Sequence, residues 1–145
     1  MFNQAFNLYT LIFNLIAMQL GNALNWFEIP VSDFDRGKKF YETIFDYQMP
    51  EMQMGPVHMG FFLYDQAGGK AGGAICSGDG YVPSQQGSLI YLNCQPDLQI
   101  ILDRVDKAGG KILQKKTQIS PDQNLGYWAS IIDSEGNRVA LHSMG

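Results

Sequence analysis

The sequence is short of charge and of cysteine, and it has no basic run. Charged residues make up 17% of its 145 positions, the formal net charge is −4, and no lysine or arginine precedes Arg36. A chain without a basic stripe gives a phosphate backbone nothing to hold, so no nucleic-acid partner is expected. The 2 cysteines, Cys76 and Cys94, stand in strand-like runs without metal-ligand spacing. They read as reduced core residues in a cytoplasmic setting rather than as a disulfide. Residues 1–20 are the one long apolar stretch, but Asn and Gln recur through it, which argues against a membrane span. The lack of a positive start argues against a signal peptide. What is there, 46% hydrophobic residues and 16 glycines, suits a soluble domain with one core, or two small modules sharing one, and many strand turns.

The informative stretch is Trp26 to Tyr41. Phe27, Ile29 and Val31 alternate with Trp26, Glu28 and Pro30, which predicts a strand with one dry face. Ser32-Asp33 supplies capping oxygens for the first turn of a helix. Phe34, Gly37, Phe40, Tyr41 and Ile44 then follow at helical spacing, with Arg36, Lys38, Lys39 and Glu42 on the wet side. The phrase is repeated at Leu89–Leu98, with Ile101, Val105 and Ala108 as its apolar helix face. Asp65–Lys70 and Asp133–Arg138 are likewise two copies of one polar turn between strand-like runs. A repeat of this size means two copies of a βαβββ unit.

The doubled phrase and the ending Asp133-Ser134-Glu135-Gly136-Asn137, with Leu141-His142-Ser143 beyond it, resemble the vicinal oxygen chelate superfamily: glyoxalase I, bleomycin-resistance proteins and extradiol dioxygenases. The resemblance runs from about residue 24 to the end. It implies an α+β fold of two βαβββ modules forming curved mixed sheets around a cleft, with an extra N-terminal helix here. The expected divisions are an extension at 1–23, module one at 24–78, a linker at 79–87 and module two at 88–145. It also implies that metal-using members place His, Gln or Glu on the first and last strands of each module, where a divalent ion polarises a substrate oxygen. By register, those positions are Trp26, Leu89, Gly72 and Ala140. None of these side chains ligates a metal, so no metal and no cofactor are expected.

Face parity leaves Trp26, Glu28, Tyr91, Asn93, Arg138 and His142 on the cavity side, opposite Phe27, Ile29, Ile90, Leu92, Val139 and Leu141. Trp26, Tyr91, Asn93 and Arg138 are the expected ligand-binding set, with Glu28 and His142 as a candidate base and acid. Three readings follow. The first is a metal-free binder of a small organic molecule, acting as a homodimer. The second is a lyase or isomerase related to lactoylglutathione lyase, working on a small carbonyl compound through Glu28 and His142. The third is a dimerising partner domain with a filled pocket. Phe2, Phe6, Tyr9, Phe13, Ile16 and Leu20 predict an amphipathic helix that hides its apolar face on the domain or on a second subunit, unless translation starts at Met18.

Overall fold

The computed structural model describes residues 10–12 and 21–145. Thr10, Leu11 and Ile12 are helical and exposed. The rest of the N-terminal helix expected from the sequence lies outside the described residues.

Strand β1 (Trp26–Pro30) leads into helix α1 (Phe34–Phe45), followed by β2 (Glu51–Met54), β3 (Val57–Phe61) and β4 (Gly72–Ser77). The second module repeats the order: β5 (Tyr91–Asn93), α2 (Leu98–Val105), β6 (Lys111–Gln118), β7 (Tyr127–Ile132) and β8 (Arg138–Ser143). Each module makes a four-stranded mixed sheet, β1-β4-β3-β2 in one and β5-β8-β7-β6 in the other. In both, the first strand runs parallel to the last and the other pairs are antiparallel. The doubled phrase in the sequence is therefore a doubled fold.

Both helices start as their sequences dictate. Asp33 accepts from the Arg36 amide, and Asp97 from the Gln99 amide, so each takes an otherwise unpaired first-turn N–H. The buried stripe of α1 is Phe34, Gly37, Phe40, Tyr41 and Ile44, and that of α2 is Leu98, Ile101, Leu102 and Val105. Both stripes meet the inner faces of both sheets in one core, reached by Ile29, Val31 and Ile75 from the first sheet and Leu92, Ile131, Val139 and Leu141 from the second. Gly37 lets α1 lie close on β1, because a Cβ there would stand 2.7 Å from Val31 Cγ1.

The modules are joined by the turn after β7. Asp133, buried, accepts from the Tyr41 hydroxyl at 2.8 Å, from the Asn137 amide at 2.8 Å and from Asn137 Nδ2 at 2.8 Å. Asn137 Nδ2 also donates to the Pro30 carbonyl at 2.7 Å. Glu135 reaches across to the other module, accepting from Ser32 Oγ at 2.9 Å, the Asp33 amide at 3.0 Å and Arg36 Nε at 2.6 Å. Burial alone would raise the Glu135 carboxyl, but Arg36, the Asp33 amide and Ser32 overrule it and hold it at about 2 against an ordinary 4.5.

Because the folded-state value is depressed, this stabilisation is complete above the unfolded carboxyl pKa. It is lost as pH falls through the folded one. Roughly 2–3 kcal/mol is at stake, allowing for solvent screening at half-exposed Arg36. Denaturant titrations between neutral pH and about pH 2 should show stability falling, and Glu135→Gln should flatten that slope. An unchanged slope in the variant would remove Glu135 from this role.

Candidate functional site

Register fixes which side chains share an outward face. Trp26, Glu28 and Pro30 pair with Gly72, Ala74 and Cys76, while Tyr91, Leu92 and Asn93 pair with Ala140, Leu141 and His142. Glu28 opposite Ala74 thus matches Tyr91 opposite Ala140. The first-module counterpart of Ala140 is Ala74, two residues beyond the Gly72 that turn register predicts. The cause is the β3–β4 connection, residues 62–71, which is longer than the β7–β8 connection at 133–137. The strand of module two is also shorter than its alternation suggests, so Leu89 precedes β5.

The four positions at which the fold's metal-using members carry ligands are then Trp26, Ala74, Leu89 and Ala140. Three offer only carbon, and the Trp26 indole N–H donates rather than accepts. Among the described residues, no group of three or more His, Cys, Asp or Glu side chains is placed to share an ion. This donor set does not fit a metal.

Every sequence-predicted site residue points away from the helix-packed core, as parity requires. The structure divides them between two sheets. Tyr91, Asn93 and His142 line a groove of about 590 Å³ on the second sheet, closed by Gln95, Ile119 and Trp128. Arg138 lines a neighbouring hollow on the same face, which Trp128 also borders. Trp128, half-buried, is therefore the centre of that face. Its alternation with Ala129 and Ile131 carried the signal, since it shares parity with polar Ser130.

His142 Nε2 lies 2.9 Å from the Leu125 carbonyl. A carbonyl only accepts, so Nε2 holds the proton and Nδ1 of the neutral ring is the acceptor. Trp26 and Glu28 stand on the outward face of the first sheet, and no hydrogen bond joins Glu28 to His142. Glu28 accepts instead from Trp26 Nε1 at 3.3 Å and from the Tyr81 hydroxyl at 2.6 Å. Tyr81, the single large side chain of the linker, was not in the predicted set. The hydrogen bond to Glu28 pushes its phenol up to about 12, so it stays a donor through the neutral range. His58 stacks on Phe34 with ring centroids 3.5 Å apart.

A second cleft, about 500 Å³, lies between β5 and the first module, walled by Phe27, Phe45, Phe62 and Tyr64 and shared with Tyr91 and Asn93.

Neither cysteine is a nucleophile here. Both are free and buried, and burial pushes each thiol up to about 12. At pH 8 the thiolate fraction is then on the order of one in ten thousand. Native protein should resist iodoacetamide at both positions and take up two equivalents once unfolded; rapid native labelling of Cys76 would contradict this burial.

Comparison with known proteins supports the same architecture. A family model described as bleomycin resistance protein-like N-terminal matches residues 24–59. No curated protein matches the chain. Among solved structures, glyoxalase I from Zea mays is similar over 83% of this chain, at 18% identity and a TM-score of 0.60. This chain spans only 45% of the maize enzyme. A glyoxalase/bleomycin resistance protein/dioxygenase family enzyme from Burkholderia phytofirmans PsJN is 14% identical, with a TM-score of 0.60, covering 86% of this chain and all of its own. A glyoxalase-related enzyme from Fulvimarina pelagi is 12% identical, with a TM-score of 0.57, covering 84% of this chain and 88% of its own. At these identities the likeness establishes the fold.

Proposed function

Since this chain has the fold of the vicinal oxygen chelate superfamily, we propose that it binds a small organic molecule on the outward faces of its sheets, without a metal. The observation that carries the reading is the side-chain set at the four ligand positions, Trp26, Ala74, Leu89 and Ala140. An indole and three aliphatic groups leave both outward faces apolar enough for an apolar or planar ligand, and single polar groups, Glu28 on the first sheet and Asn93 and His142 on the second, would orient it.

The inner faces of both sheets share one core, so their outward faces look away from each other. One chain offers two half-sites rather than one cup. A homodimer that sets the first sheet of one copy against the second sheet of the other would close the cleft and cover Met52, Met54 and Tyr91, all more than half exposed. The alternative, proton transfer between Glu28 and His142 on a carbonyl compound, would also need that second copy. It is less favoured because both Glu28 oxygens already accept hydrogen bonds from neutral partners.

No described helix is long and apolar enough to cross a membrane. The proposal places the protein in the cytoplasm.

A thermal-shift screen of small planar molecules, run with EDTA throughout, should yield stabilising ligands. Trp26→Ala should weaken them about fivefold or more, as loss of a stacking ring costs about 1 kcal/mol. Sedimentation should show a dimer. Hits that appear only when the screen is repeated without EDTA, or a monomer that binds fully, would overturn the reading.

A further inference from the structure

The outward face of the first sheet carries one negative charge inside a wall of aromatic rings. Trp26, on the edge strand β1, contacts two of these rings. The Phe61 ring stands 6.1 Å from it, tilted by 57°, and the Tyr64 ring 6.3 Å from it at 72°. Met59, Ala74 and Cys76 form a buried floor beneath, against which Tyr81 also packs. Glu28 is exposed among these rings. Its two hydrogen-bond donors, the Trp26 indole and the Tyr81 phenol, are both neutral, and none of the described ion pairs includes Glu28.

Two properties of this arrangement point the same way. Aromatic faces present negative charge density, so a cation is drawn to them and an anion is repelled. The carboxylate has further lone pairs beyond the two in use, and among the described residues no cation pairs with it. The two donors hold it in place without cancelling its charge. A net charge of −4 adds a weak attraction of the same sign.

We propose that this face selects an organic cation, an alkylated ammonium or amidinium group whose charge sits against Glu28 and whose alkyl surface lies on Trp26, Tyr64 and Tyr81. The assignment rests on the binding reading above and names the ligand class of the same site.

The test follows the indole N–H resonance of Trp26 in the isotope-labelled full chain, identified by its loss in Trp26→Phe. The probes are choline, its uncharged carbon isostere neohexyl alcohol, and benzoate as an anion. Choline should shift the Trp26 signal with an affinity about tenfold above that of the alcohol, and benzoate should not shift it. Glu28→Gln, an exposed and isosteric change, should lower the choline preference, because the carboxylate charge is lost while the rings remain. Equal affinity for choline and the alcohol, a preference for benzoate, or a choline preference undiminished in Glu28→Gln would each overturn the cation assignment while leaving a ligand site at Trp26. Silence at Trp26 with all three probes would overturn it as well, and binding would then stand or fall with the thermal-shift screen.

Discussion

The structure depends on two carboxylates in one turn. Asp133 and Glu135 reach from the end of β7 into the other module, where Asp133 takes the buried Tyr41 hydroxyl of α1 and Glu135 takes the Ser32 hydroxyl and the Asp33 amide in the exposed β1–α1 turn. A buried carboxylate without such partners would cost several kcal/mol. With them it is a directional clamp, because the oxygens accept from donors on α1, in the β1–α1 turn and at Asn137. The clamp sets how the modules meet, and so where the outward faces lie.

That placement explains what the site can do. With α1 and α2 packed between the sheets, one face of each sheet is committed to the core and the other is left for function. On the committed faces the side chains are aliphatic or aromatic and almost wholly buried. On the free faces, polar groups are scattered singly among rings: Glu28 by Trp26 and Tyr81, His142 by Trp128. Such a surface positions a ligand by shape and a few hydrogen bonds. It lacks the convergent lone pairs that would hold a divalent ion.

Much of this was legible in the sequence. The alternation Phe27, Ile29, Val31 against Trp26, Glu28, Pro30 fixed a face, and Asp33 fixed a helix start, because both patterns are local consequences of strand and helix geometry. The repeat then supplied the architecture. What escaped was long-range. The inequality of the two inter-strand connections moved the first-module position from Gly72 to Ala74, since a turn motif anchors only the strand residues next to it. The role of Glu135 depends on residues about a hundred positions away. Tyr81 belongs to no periodic element, and its meeting with Glu28 follows from the linker's path; its being the one large side chain there was the only hint. That the predicted site residues divide between two sheets follows from packing that no register within a module encodes.

The most direct test of the account is a chemical-shift map of the full chain, in chelator, against a ligand drawn from the thermal-shift screen. Perturbations concentrated at Trp26, Tyr91, Trp128 and His142 are the predicted result. Perturbations confined to the cleft behind β5, at Phe45, Tyr47 and Phe62, or appearing only after zinc is supplied, would contradict it.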